Sequence, residues 1–159
     1  MANSGLQQLF EESVSAVTAT NSVQLGTVRY ENGRRYQYVY NNGTTAISPG
    51  YGCIISALTG YSVTISSTTE VKLCFGVVYH NTLTTATYGW VVKDGFVPVQ
   101  CTASTGLAVG DSLVLGDDGV ATRITLITGY TNFPVYTYGY VVQATASGGS
   151  GYALVHCFG

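Results

Sequence analysis

Two histidines and four cysteines are the groups with which this 159-residue chain could do nucleophilic or acid–base chemistry at neutral pH. A cysteine nucleophile needs a base within hydrogen-bond reach, and two pairings come into question, Cys101 with His80 and Cys157 with His156. The second pair are sequence neighbours, so within one regular strand their side chains point to opposite faces. The first pair lacks any surrounding signature of a catalytic cysteine. On the alternation of the last strand, His156 shares a face with Tyr152, Leu154 and Phe158, which predicts a half-buried, hydrogen-bonded, structural histidine. His80 is assigned to structure for the same want of a partner.

Metal and phosphate chemistry fare no better. Cys53, Cys74, Cys101 and Cys157 are widely spaced, with no C-x-x-C pair and no histidine at zinc-ligand spacing. Reduced thiols acting as small apolar side chains inside strands are the expectation, with one or two disulfides left open. Asp94, Asp117 and Asp118 adjoin glycine in predicted turns, and Asp111 opens a strand, so turn formation explains them without a calcium loop. Ser147-Gly148-Gly149-Ser150-Gly151 is followed by a strand pattern, not by Lys-Ser or Lys-Thr on a helix, and is expected to be a hairpin tip. Asn42-Gly43-Thr44 fits a glycosylation acceptor, which matters only in a secreted chain. The sequence therefore predicts no enzyme, no cofactor and no metal site.

Aromatic residues offer the remaining chemistry. Tyr88, Trp90, Tyr138 and Tyr140 lie in glycine-containing strands, where a ring commonly covers the backbone exposed at a bend. The same four could instead line a glycan platform of a host-recognition module, since ring faces attract the apolar faces of sugars. Exposure of the rings separates the two readings.

The totals limit the partners. Charged residues make up 9% of the chain, against about 25% in an ordinary soluble domain, so uncharged polar groups and thirteen tyrosines must cover the surface. That palette suits large, wet protein contacts. A net charge of −2 and a single adjacent basic pair, Arg34-Arg35, predict no nucleic-acid binding. No run approaches the roughly 20 apolar residues of a membrane span, and the N-terminus lacks a signal-peptide pattern.

These residues must be positioned by strands. Helical spacing occurs only near the N-terminus, where Leu6, Leu9, Phe10, Val14 and Val17 form a stripe behind a Ser4/Gln7 capping box. Residues 1–20 are thus predicted to be a short amphipathic arm ordered by docking. Residues 21–159 are predicted to be an all-β barrel or sandwich with Gly-kinked strands, divided into related units at about 21–100 and 101–159. The surest element is a hairpin of Thr27–Glu31 and Arg34–Tyr40 about Asn32-Gly33, a type I′ dipeptide. Its register sets Glu31 opposite Arg34 and Arg29 opposite Tyr36, with Tyr38 on the same face and Val28, Tyr30, Gln37 and Val39 on the other. Because neither face is cleanly apolar, other protein is expected on both, making Arg29, Tyr36 and Tyr38 contact residues together with Leu6, Leu9, Phe10 and Val14 of the arm.

Further strands are predicted at 53–58, 62–66, 71–79, 88–93, 97–101, 112–115, 120–127, 135–138, 140–144 and 152–158, with Asp94-Gly95 and Gly116-Asp117-Asp118-Gly119 as reversals. Ile47-Ser48-Pro49-Gly50-Tyr51-Gly52-Cys53-Ile54 matches Leu107-Ala108-Val109-Gly110-Asp111-Ser112-Leu113-Val114 in pattern. Phe75-Gly76-Val77-Val78 follows the first copy and Tyr138-Gly139-Tyr140-Val141-Val142 the second, with Thr87-Tyr88-Gly89-Trp90-Val91-Val92 between them.

The arm, the Leu107–Val114 stretch running into Asp118-Gly119-Val120, the Tyr-Gly-Tyr-Val-Val strand and the closing Tyr152-Ala153-Leu154-Val155 strand resemble small β proteins that decorate the heads of tailed bacteriophages. The resemblance covers roughly residues 21–159 and is one of pattern. It implies a virion structural protein on the capsid exterior, assembled in the host cytoplasm. Such a protein would bind the major capsid protein as a homotrimer and stabilise the shell by bridging neighbours. Deleting residues 1–20 is then expected to spare the β body and weaken assembly.

Overall fold

A computed structural model describes residues 12–57, 60–65, 73–101, 106–123, 137–146 and 148–157, and these form an all-β fold. The strands are β1 (Val17–Thr18), β2 (Val28–Glu31), β3 (Arg34–Asn41), β4 (Gly52–Ala57), β5 (Ser62–Thr64) and β6 (Gly76–Val78). They continue with β7 (Thr87–Gln100), β8 (Ser112–Leu115), β9 (Ala121–Arg123), β10 (Gly139–Gln143) and β11 (Ser150–His156). Asn32 and Gly33 both take positive φ, 50° and 74°, which is the type I′ geometry their sequence demands. The hairpin register follows, with Glu31 opposite Arg34 and Arg29 opposite Tyr36.

Five strands close into a barrel. β3 pairs antiparallel with the first half of β7 and parallel with β5, while β5, β4, β6 and β7 follow in order around the ring. Alternation turns Val39, Cys53, Val63, Val78 and Val91 inward, where they meet Ile47, Phe75 and Leu83 in one buried cluster. Among the described residues, branched side chains and one ring fill the interior of this small barrel.

The second half of β7 repeats the scheme. It pairs antiparallel with β11, and β11, β10, β8 and β9 continue in order. A parallel bridge from Cys101 to Ala121 joins β9 back to the end of β7. This second ring matches the first pair for pair, about 60 residues on. Tyr38↔Trp90 and Val39↔Gly89 correspond to Pro98↔Tyr152 and Val99↔Gly151. Ile55↔Val63 corresponds to Leu115↔Ala121, and Cys53↔Gly76 to Leu113↔Gly139. The two matching turns carry Gly50 and Gly110 at φ 86° and 91°, each donating its N–H to a strand carbonyl, Val78 at 2.8 Å and Val141 at 2.9 Å.

Asp94-Gly95 is not a reversal, because β7 runs through it for 14 residues. Gly95, at φ 121°, lies where β7 leaves the first ring and enters the second. A Cβ there would come within 2.9 Å of the Gly33 carbonyl oxygen, so the dipeptide that looks like a turn in sequence instead lets the hairpin tip press on a continuous strand. Gly116–Gly119 does reverse the chain, through a 3₁₀ turn at Asp117–Gly119.

No helix forms in the described part of the N-terminal stretch; Leu6, Leu9 and Phe10 lie outside the described residues. Val14 sits in a turn and enters the core, and Val17 pairs with Gly89. β6 covers β7 only at Val91 and Val92, so the free edge at Tyr88 and Gly89 accepts β1 and overrides the helical spacing. Removing residues 1–20 therefore strips a core residue and a strand from the body.

One charge is buried beside this core. Lys93 is 1% exposed and holds its ammonium 3.5 Å from the centre of the Phe75 ring. Desolvation by burial lowers its pKa from the ordinary value of 10.5. A lowered lysine pKa means that the unfolded chain binds the proton more tightly, so the charge penalises folding most at neutral pH and the penalty fades as pH climbs toward 10.5. Lys93→Met is expected to raise stability by about 1 kcal/mol at pH 7, with the gain shrinking at pH 9–10, as read by urea unfolding. Gly95→Ala is expected to cost about 2 kcal/mol or more in the same assay. Gly110→Ala, with nothing within 4 Å of its Cβ, should cost only its backbone strain of about 1 kcal/mol.

Candidate functional site

The histidines sit apart. His80 is exposed and stacks on Tyr36 at 6.0 Å, with its Nε2 3.3 Å from the Tyr36 hydroxyl. Partial desolvation, then the Arg34 charge, hold its pKa below the ordinary 6.5. His156 is not half-buried: its side chain is 74% exposed, with Nδ1 2.8 Å from Asp94 Oδ2. The alternation of β11 is right but its sense is inverted, since Ala153 and Val155 point inward and Tyr152, Leu154 and His156 outward.

All four cysteines are free and buried. Cys53 lies within a strand, whereas Cys74, Cys101 and Cys157 lie at strand ends. The Cys101 thiol donates to the Ala146 carbonyl at 3.2 Å and the Cys157 thiol meets Cys74, so neither contact is with a histidine. Among the described residues no group of three His, Cys, Asp or Glu side chains could hold a metal ion.

The hairpin residues expected at a partner interface point inward. Tyr36 and Tyr38 are buried, in one cluster with Val14. Arg29 forms an ion pair with Glu31 and donates to the Glu12 carbonyl at 2.8 Å, while the Tyr38 hydroxyl lies 3.2 Å from Ser22 Oγ. The chain's own residues 12–25 thus occupy the face that sequence assigned to other protein, with Val23 and Leu25 packed on the same cluster. Arg34 lies 4.3 Å over the Tyr79 ring, a cation–π contact from the hairpin tip.

Tyr88, Trp90, Tyr138 and Tyr140 do not assemble into an exposed platform. Trp90 and Tyr138 are buried. Tyr88 stacks with Tyr38 and tilts against Tyr40, and Trp90 tilts against Tyr38 at 5.1 Å, as sheet packing requires. Only Tyr140 stands in solvent, on the second ring.

That second ring carries the surface that sequence reading missed. Phe96, Leu154 and Tyr140 form one row across β7, β11 and β10, and Pro98 and Tyr152 are paired in the next. Phe96, Tyr140 and Tyr152 are 52%, 56% and 46% exposed. Three half-exposed rings offer about 300 Å² of apolar surface, enough for the core of a protein interface but not for the roughly 800 Å² of a whole side. In the first ring the equivalent positions are Tyr36, Tyr38, Trp90 and Val92, all buried in the cluster that Val14, Val23 and Leu25 join. One face is covered by residues 12–25 of the chain itself; its counterpart is more open among the described residues. A pattern of small apolar residues alternating with larger ones, as in Phe96-Val97-Pro98-Val99 and Tyr152-Ala153-Leu154-Val155, marks such a strand, because a narrow barrel interior takes the smaller set.

No family model matches the chain, and no curated protein matches it. Among solved structures, it is similar to the head fiber gp8.5 N base of bacteriophage phi29, with a TM-score of 0.53 and 18% sequence identity over 76% of this chain and 93% of that one. The two proteins share a fold.

Proposed function

We propose that this chain is a structural protein of a bacteriophage virion, without catalytic activity, that sits on the capsid exterior and stabilises the shell by bridging copies of the major capsid protein. The carrying observation is the row of Phe96, Leu154 and Tyr140, whose two rings are more than half exposed while its counterpart in the first ring is buried. Its fold likeness to a phage head fiber base supports the setting. The low charge and the abundance of Tyr, Thr and Ser supply an uncharged rim for such a contact. Self-association as a homotrimer completes the reading, because many copies of a modest contact on a symmetric lattice accumulate binding through multivalency.

Co-sedimentation of the purified protein with capsids from its host virus tests this. Binding is expected, and Phe96→Asp combined with Tyr140→Asp should weaken it at least tenfold, because a charge at the centre of an apolar contact goes unpaired. Both side chains leave the core, so circular dichroism should not change. A wild-type protein that ignores capsids and sediments as a monomer would sink the proposal.

A further inference from the structure

We infer that Cys74 and Cys157 are a disulfide-forming pair that staples the two rings together when the protein meets an oxidising small-molecule disulfide such as oxidised glutathione. Their sulfur atoms lie 3.8 Å apart, in van der Waals contact, and a bond requires a separation of about 2.05 Å. Cys74 leads into β6 of the first ring and Cys157 follows β11 of the second, where its N–H donates to the Lys93 carbonyl at 2.7 Å. Cys53 and Cys74 both donate to the Gly76 carbonyl, at 3.3 and 3.5 Å, and Cys101 donates to the Ala146 carbonyl at 3.2 Å, but the sulfur–sulfur contact is the one between Cys74 and Cys157.

The surroundings set the rate. Burial holds the Cys74 thiol well above its ordinary pKa, with the adjacent Cys157 adding to the effect, while the nearby Lys93 ammonium pulls the other way. Reaction therefore waits for a local opening at the end of β11. One thiolate then attacks the sulfur–sulfur bond of oxidised glutathione, forming a mixed disulfide and releasing one glutathione thiolate. The second protein thiolate displaces the other glutathione. The two protons lost by the cysteines end on the two glutathione thiols, and two electrons pass from the protein to the reagent.

A bond joining residues 83 apart closes a long loop in the unfolded chain, which predicts a rise of about 10 °C in the unfolding midpoint. The pairing rests on thiol geometry and holds whether or not the chain binds capsids.

The full chain would be incubated with oxidised glutathione near its unfolding midpoint, where openings are frequent, then quenched, alkylated and mapped under non-reducing conditions. The expected product retains two alkylatable thiols and a single peptide pair linking Cys74 to Cys157, and dithiothreitol reverses both the link and the midpoint shift. Cys53→Ser should keep the link and Cys157→Ser should abolish it. Four alkylatable thiols after incubation, or a link that uses Cys53 or Cys101, would overturn the proposal. The peptide map of the wild-type chain decides even if Cys157→Ser does not fold.

Discussion

The fold depends on a strand that must serve two rings. β7 gives its first half to β3 and β6 and its second half to β11, so its ladder cannot stop between them. Continuity through Asp94-Gly95 needs a residue that tolerates φ 121° beneath the hairpin tip, and glycine alone does so without strain. At the same place the register of β3 and β7 shifts by one residue, since Arg35 faces Asp94 and Tyr36 faces Val92, with Lys93 between them. That extra residue is a bulge, and bulges re-aim the side chains on either side of them. Here it turns an aliphatic stem and its ammonium onto Phe75.

The two rings follow one pairing scheme. The same turn, the same strand order and the same parallel closure serve both rings, so one short pattern specifies most of the backbone. What differs is the outer face. Around the first ring, Tyr36, Tyr38 and Trp90 are sealed beneath the chain's own residues, whereas Phe96, Pro98 and Tyr152 at the matching positions meet solvent. The two rings differ in what they touch more than in how they fold.

Local chemistry was the legible part of this sequence. Asn32-Gly33 specified a hairpin and its register because a two-residue turn with positive φ at both centres admits few alternatives. The Ile47 and Leu107 stretches match in pattern because a turn glycine and the apolar residues around it recur at fixed offsets. Asp94-Gly95 was misread because the same dipeptide serves a reversal and a tight backbone approach, and only a distant segment, here Gly33, distinguishes them. The helical spacing of Val14 and Val17 lost to a vacant edge on β7, which is likewise non-local. Burial was misassigned on β11 for a subtler reason. Alternation identifies two faces, but which one is interior depends on the volume available, and a barrel of five strands takes Ala153 and Val155 rather than Tyr152 and Leu154.

The shared strand also has a mechanical meaning. Two barrels tethered by a linker would yield first at the linker, and each could rotate against the other. Here tension between the rings travels along the covalent backbone of β7 and is resisted by antiparallel ladders loaded along their length, on β3 at one end and on β11 at the other. Many hydrogen bonds must then fail together rather than one after another. Load is thus shared between the two rings through one strand, with no linker between β3's partner segment and β11's to act as a hinge.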